Sequence, residues 1–173
     1  MDWMQQVGGL LNTYANGSGD QTRAVSDFDD VARAAPRDAM RTGLADAFRS
    51  SQTPPFASML SQIFGQSGGT QRASVLNALI STLGPALVSR VLSQRGAAVP
   101  PQIQSGQAVA PEVAEQIPPD AVEALAREAE QKDPSIVERI SDFYADQPAL
   151  IKTLGGAALV VAMAKIAQAQ ARR

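Results

Sequence analysis

The most informative stretch of this chain spans residues 149–167 and reads ALIKTLGGAALVVAMAKIA. Its central part, residues 153–164, contains no charged residue, and Thr153 is its single polar side chain. A helix of this composition is apolar on all sides, whereas a helix on the surface of a globular protein is apolar on one face only. Such a helix belongs in one of three places: a protein core, a contact between subunits, or a membrane.

The length of this stretch favours the protein core. Twelve helical residues rise about 18 Å, well short of the ~30 Å hydrocarbon core of a bilayer. A helix over residues 149–167 would rise about 28 Å, but it would include Lys152 and Lys165 near its ends. We therefore predict a buried core helix. A subunit contact, or a peripheral or tail-anchored membrane protein that uses residues 149–171, are the alternatives.

The same stretch supplies most of the candidate interaction residues. Its small side chains would let a second helix approach closely, and its larger apolar side chains would fill the contact. The candidates in this stretch are Leu154, Gly155, Gly156, Leu159, Val160 and Met163.

The N-terminal segment, residues 2–14, is a second apolar helix. It carries apolar residues at helical spacing, and it contains no Lys or Arg, which argues against a location at a membrane surface. Each glycine of its central Gly8-Gly9 pair costs about 1 kcal/mol relative to alanine in a helix, so we expect close packing at this point. The candidate interaction residues in this segment are Trp3, Leu10 and Leu11.

The remaining segments repeat the helical pattern. Apolar residues recur at three- and four-residue spacings in residues 22–48, 53–64 and 70–94, and Gly84-Pro85 predicts a kink or a split in the last of these. Proline fits the first helical turn, where its missing N–H would have no partner. Prolines open the pattern near positions 36, 54, 111, 119, 134 and 148. The sequence thus predicts an all-α fold, a multi-helix bundle of about eight or nine short helices.

One segment lacks helical periodicity. Residues 95–111 are rich in Pro, Gly and Gln and predict a flexible linker. We expect an N-terminal helical portion at residues 1–94 and a C-terminal helical portion at residues 112–173, which ends in the apolar helix. Asp133, directly before Pro134, is a suitable N-cap for one of the C-terminal helices.

The composition excludes several classes of catalytic site. The 173 residues include no Cys and no His, so a Ser-His-Asp triad, a thiolate nucleophile and a His- or Cys-ligated zinc ion cannot form. Asp27, Asp29 and Asp30 lie on one predicted helix, whereas a glycosidase needs two carboxyl groups that face each other across a cleft. We expect no enzymatic activity, no cofactor and no metal site. A carboxylate-dependent hydrolase is the alternative.

The charge pattern limits the partners. The isoelectric point is about 5.1, the net charge is −2, and no cluster of basic residues accompanies aromatic ones, so we expect no nucleic-acid binding. Residues 112–146 contain ten acidic and three basic residues, which we interpret as solvated helix faces, with docking of a basic partner as the alternative. The start of the chain shows no signal peptide, and we expect a cytoplasmic location, with membrane association as a less favoured alternative.

Several short runs resemble known bacterial proteins. The apolar helices from Leu76 to Leu92 and the run IPPDAVEAL at residues 117–125 are similar to YidB-like helical proteins, and the residues from Asp133 to Tyr144 resemble uncharacterised bacterial proteins. The resemblance covers residues 70–160. It implies a helical, non-catalytic bacterial protein and transfers no functional residues. The linker and the apolar C-terminus depart from the compact pattern of that family.

The sequence therefore predicts a non-catalytic helical interaction or structural protein. We expect it to form a homo-oligomer or to bind a protein partner through its apolar helices, with residues Leu154–Met163 as the central contact.

Overall fold

The computed structural model describes residues 3–17 and 19–171, and over these residues the chain is helical with no strand. This confirms the predicted all-α fold. The described residues form twelve helices and one 3₁₀ turn, more than the eight or nine helices predicted, because three helices of four residues are present and the 70–94 segment is split. The elements are α1 Trp3–Ala15, α2 Gln21–Ala34, α3 Arg37–Phe48, α4 Phe56–Gln66, α5 Gly69–Leu83, α6 Pro85–Gln94, α7 Pro101–Gln104, α8 Pro111–Ala114, α9 Pro119–Lys132, α10 Ile136–Tyr144, α11 Pro148–Ile151, the 3₁₀ turn Lys152–Leu154, and α12 Gly156–Ala171.

The contacts group the helices into two compact units. Unit 1 joins the described residues up to Pro55 with those from Ser141 onward, and unit 2 comprises Phe56–Ile140. The chain passes from one unit to the other twice, between Pro55 and Phe56 and again within α10 between Ile140 and Ser141. The division into portions 1–94 and 112–173 stays a prediction. Residues 95–111 include the short helix α7, and the side chains of Ile103 and Val109 in this segment are buried.

Unit 1 is built around its last helix. Helix α12 packs against α1, α2 and α3, so three amphipathic helices turn their apolar faces toward one apolar helix. A buried apolar side chain contributes about 1.5–3 kcal/mol to stability relative to an exposed one, which makes this the main stabilising contact of the unit. Its large buried side chains include Leu11, Tyr14, Phe28, Phe48, Tyr144, Leu159, Met163 and Ile166.

Unit 2 is built around α5 and α9. Helix α4 packs against α9, and α5 packs against α8 and α9. The apolar stripes predicted for these segments form the core, which includes the fully buried Leu60, Ile63, Leu76, Leu79, Val122 and Leu125.

Proline marks the beginning of many helices, as predicted. Pro111, Pro119 and Pro148 lie in the first turn of their helices, and Pro36 directly precedes α3. The prolines at positions 54 and 134 precede α4 and α10 by two residues. Proline is tolerated at these places because the N–H groups of the first helical turn have no intrahelical partner.

The predicted kink or split at Gly84-Pro85 is confirmed. Helix α5 ends at Leu83, α6 begins at Pro85, and the two helix axes meet at 112°. Gly84 has a φ of 87°, which L side chains rarely adopt, and Pro85 lacks the N–H that would continue α5.

Two aspartates stabilise helix beginnings through their side chains. Asp20 Oδ1 accepts hydrogen bonds from the backbone N–H of Thr22 at 2.9 Å and from its hydroxyl, and Asp133 Oδ1 accepts from the hydroxyl of Ser135 at 2.7 Å and from its backbone N–H at 3.1 Å. The hydrogen bonds from Thr22 and Ser135 lower the pKa values of Asp20 and Asp133, because they favour the carboxylate.

The lowered pKa of Asp133 predicts a loss of stability in acid. The ionised Asp133 carboxylate contributes fully to the free energy of unfolding at pH values above its ordinary pKa of 3.8. This contribution disappears as the pH falls through the lower pKa of the folded state. We expect Asp133→Asn, which keeps the cap but cannot titrate, to flatten the fall in the free energy of unfolding between about pH 6 and pH 2.5. Urea unfolding at several pH values measures this slope, and equal slopes in both proteins would contradict the role of the Asp133 carboxylate.

Candidate interaction site

The α12 candidates divide between the core and the surface. Leu159 and Met163 are 0% exposed, because the other helices of unit 1 cover them. Gly156 and Val160 are half-buried. The predicted central contact therefore contains side chains that already have their packing partners within the chain.

The remaining two candidates lie before α12. Leu154 is half-buried at the end of the 3₁₀ turn, and Gly155 follows it with a φ of 94°. The predicted start of the last helix near Pro148 is wrong: α11 and the 3₁₀ turn occupy that part, and α12 begins at Gly156. The reason is the conformation of Gly155, which no helix accommodates.

One side of α12 faces away from the core. Ala157 and Gln168 are exposed, and Val160 and Ala164 are half-buried. These four residues follow one another at three- and four-residue spacings, so they lie along one line of the helix. We call this line the α12 outer strip. It contains no charged residue, and three of its four side chains are small and apolar.

The α1 candidates show a similar division. Leu11 is 0% exposed, whereas Trp3 and Leu10, seven residues apart on the same edge of the helix, are half-buried. Helix α1 packs against α12 and α2. Leu11 thus belongs to the core of unit 1, and Trp3 and Leu10 form the margin of the apolar face of α1.

The close packing expected at Gly8-Gly9 is wrong. A Cβ atom at Gly9 would meet nothing within 4 Å, and one at Gly8 would make an ordinary contact with Met4 at 3.7 Å. The helical glycines of unit 1 that do approach another segment closely are Gly43 and Gly156. A Cβ atom at Gly43 would overlap the side chain of Ile166, and a Cβ atom at Gly156 would overlap the backbone carbonyl oxygen of Gln21.

The carboxylates of α2 hold structural contacts. Asp29 Oδ1 lies 2.7 Å from Lys152 Nζ, and Asp27 Oδ2 accepts a hydrogen bond from the Tyr14 hydroxyl at 2.5 Å. Burial and this hydrogen bond raise the pKa of Tyr14 well above its ordinary value, so the phenol stays protonated and donates at neutral pH. Asp30 forms a longer ion pair with Arg33 on the same helix, at 3.7 Å.

A further ion-pair group joins α3 to the end of α10 within unit 1. The Arg37 guanidinium lies 3.3 Å from a carboxylate oxygen of Asp142 and 3.2 Å from one of Asp146, and it donates to the backbone carbonyl of Asp142 at 3.1 Å. These side chains are about half exposed, so each pair contributes at most about 1 kcal/mol. Residue spacing does not predict this pairing, because the partners lie more than a hundred positions apart in the chain.

Two other features bear on the predicted alternatives. Among residues 3–17 and 19–171, no three Asp or Glu side chains are placed to hold a metal ion together. Over the same residues no single helix is both long and apolar enough to cross a membrane, while α5 and α6 reach the required length and composition only as a bent pair.

Val25, which is 41% exposed, is the most exposed large apolar side chain of the described residues.

Comparisons of the chain with models of known protein families, with characterised proteins and with solved structures gave no match. The resemblance to YidB-like proteins therefore stays a prediction.

Proposed function

We propose that this chain is a non-catalytic helical interaction protein that self-associates, and that the α12 outer strip is the contact surface. The observation that carries the proposal is the lack of charge on an outward-facing side of a helix. Water-facing sides of helices are normally charged or polar, and a side that is not is typical of a contact with another protein.

Helices α2 and α9 follow the normal rule. On α2 the exposed positions include Arg23, Asp30 and Arg33, and on α9 they include Arg127 and Glu128. On α12 the exposed positions include Ala157 and Gln168, and Val160 and Ala164, which lie between them on the strip, are half-buried. The difference in composition supports a contact role for α12 rather than a purely solvated surface.

A second copy of the chain is the partner that suits this strip best. The strip offers no charge that would select a charged partner, whereas two identical apolar strips related by a twofold axis are complementary to each other. The small side chains allow the two helix axes to approach to about 8 Å. The strip is short, and stable dimers bury at least about 1,200 Å², so we expect an association that depends strongly on protein concentration.

Placing a positive charge on the strip tests the proposal. We expect the wild-type protein to show a concentration-dependent increase in mass in sedimentation equilibrium. Val160→Lys should weaken this association by a factor of ten or more, since ~1.4 kcal/mol of lost contact free energy corresponds to a tenfold change. Ala157→Lys, at an exposed position of the same strip, should act in the same way without placing a charge in the core.

The matched control is Val25→Lys, which makes the same substitution at an exposed valine of α2. It should leave the association unchanged, and circular dichroism should show that all three variants keep their helix content. A wild-type protein that stays monomeric over a wide concentration range would contradict the proposal, and so would association that Ala157→Lys does not weaken. Flotation with lipid vesicles at low protein concentration would instead favour membrane binding.

The absence of catalysis is part of the proposal. It is supported by the contacts of Asp27 with Tyr14 and of Asp29 with Lys152, which engage the carboxylates that a hydrolase would use. A hydrolytic activity that disappears in Asp29→Asn, in a protein that keeps its fold, would contradict this part.

A further inference from the structure

A groove lies in unit 2 where the chain passes from α5 to α6. Its volume is about 400 Å³, and it is lined by Leu83, Gly84, Pro85, Ala86, Leu87, Arg90 and Lys132. This volume falls within the range of about 300–1,000 Å³ that is usual for small-molecule sites. The groove surrounds the helix break at Gly84-Pro85. This break has no part in the proposed self-association.

The helix break creates the groove. Helices α5 and α6 are bent by 112° relative to each other, and a Cβ atom at Gly84 would meet nothing within 4 Å, so the space beside this residue is open. Pro85 and Leu87 supply the accessible apolar surface of the groove, whereas the lining residue Leu83 is only 4% exposed. The groove is open to solvent along its length, so a ligand can enter without a conformational change.

Two cations line this apolar groove. Arg90 comes from α6 and Lys132 from the end of α9, and among the described residues neither has a carboxylate within ion-pair distance. Lys132 Nζ donates to the Leu83 carbonyl oxygen at 3.4 Å, which places its charge at the break and satisfies the last carbonyl of α5. Arg90 and Lys132 are the two charged residues that line the groove, and both carry a positive charge.

We propose that this groove binds a medium-chain carboxylate in its free, monomeric form. The carboxylate lies between the Arg90 guanidinium and the Lys132 ammonium, and the alkyl chain lies on Pro85 and Leu87. Both parts are needed, because a charge-assisted contact at an exposed site is weak and each buried CH₂ group adds about 0.8 kcal/mol.

Decanoate, below its micellar concentration, is a suitable probe. In ¹H–¹⁵N NMR spectra of the full chain, we expect its addition to shift the amide signals of Gly84, Ala86 and Leu87 in a saturable manner. Arg90→Gln and Lys132→Gln should each raise the dissociation constant about two- to fivefold, because a charge-assisted contact at an exposed site contributes at most about 1 kcal/mol. Both positions are exposed, so the variants should keep their fold, and their spectra show this directly.

Arg95→Gln is the matched control. Arg95 is also exposed and follows the last residue of α6, but it does not line the groove, so its replacement should leave binding unchanged. Three results would overturn the proposal: no saturable shift with decanoate, equal binding of decanol, or equal binding of inorganic phosphate. Equal binding of decanol would show that the two positive charges have no role in binding. Equal binding of inorganic phosphate would show that the apolar surface has no role.

Discussion

Replacing Leu159 by alanine is expected to lower the free energy of unfolding by about 2–5 kcal/mol. Leu159 is 0% exposed and lies on α12, the helix against which α1, α2 and α3 pack. The substitution removes apolar contacts and leaves a cavity that three helices border, and surrounding helices collapse only in part to fill such a space. Because domains are stable by only about 5–15 kcal/mol, this change is a large fraction of the total.

Val25→Ala is the control for this prediction. Val25 is 41% exposed on α2, so its truncation should change the free energy of unfolding by no more than about 0.5 kcal/mol. Urea unfolding followed by circular dichroism, with both variants at the same protein concentration, measures the two values. A cost for Leu159→Ala as small as that for Val25→Ala would show that α12 is not the core helix of unit 1.

Replacing Gly43 by alanine is expected to destabilise the protein by about 1–3 kcal/mol, although alanine is the better helix former. The added Cβ atom would overlap the side chain of Ile166 and would lie 3.1 Å from its Cα atom. The backbone of α12 cannot move away without disturbing its packing against α3. The cost of overpacking is therefore expected to exceed the gain in helix propensity.

Gly9→Ala is the matched substitution, and we expect it to change the free energy of unfolding in the opposite direction. Gly9 lies in the interior of α1, and a Cβ atom there would meet nothing within 4 Å. The lower entropy of the unfolded chain should therefore stabilise the protein by about 0.5–1 kcal/mol. Thermal unfolding of both variants compares the signs, and a stabilising effect of Gly43→Ala would show that α3 and α12 do not approach each other as described.

The predictions from local patterns were the most successful. The apolar stripes of α4, α5 and α9 became the core of unit 2, and the break at Gly84-Pro85 appeared where the backbone chemistry requires it. Both features depend on residues that are neighbours in the chain, and they can therefore be predicted from the sequence. The same reasoning overlooked α7, because a four-residue helix has too few turns to show a period.

The candidate interaction residues were predictable only as a group. Their composition marked α12 and α1 as apolar helices, but burial separates Leu159, Met163 and Leu11 from Val160 and Leu10. A helix that is apolar on all sides has no polar face to show which side points toward solvent. That choice depends on which helices pack around it.

The sequence by itself determined that the chain is helical, where most of the helices begin, where the 70–94 segment breaks, and which chemistries lack the residues they need. It did so because helix propensity, apolar spacing, proline and the absence of Cys and His are properties of local sequence or composition. The tertiary structure alone decided that Gly43 and not Gly9 is a point of close approach, and that Lys152 pairs with Asp29, 123 positions away. It also decided which line of α12 stays uncovered, because burial arises from contacts between segments that are distant in the chain.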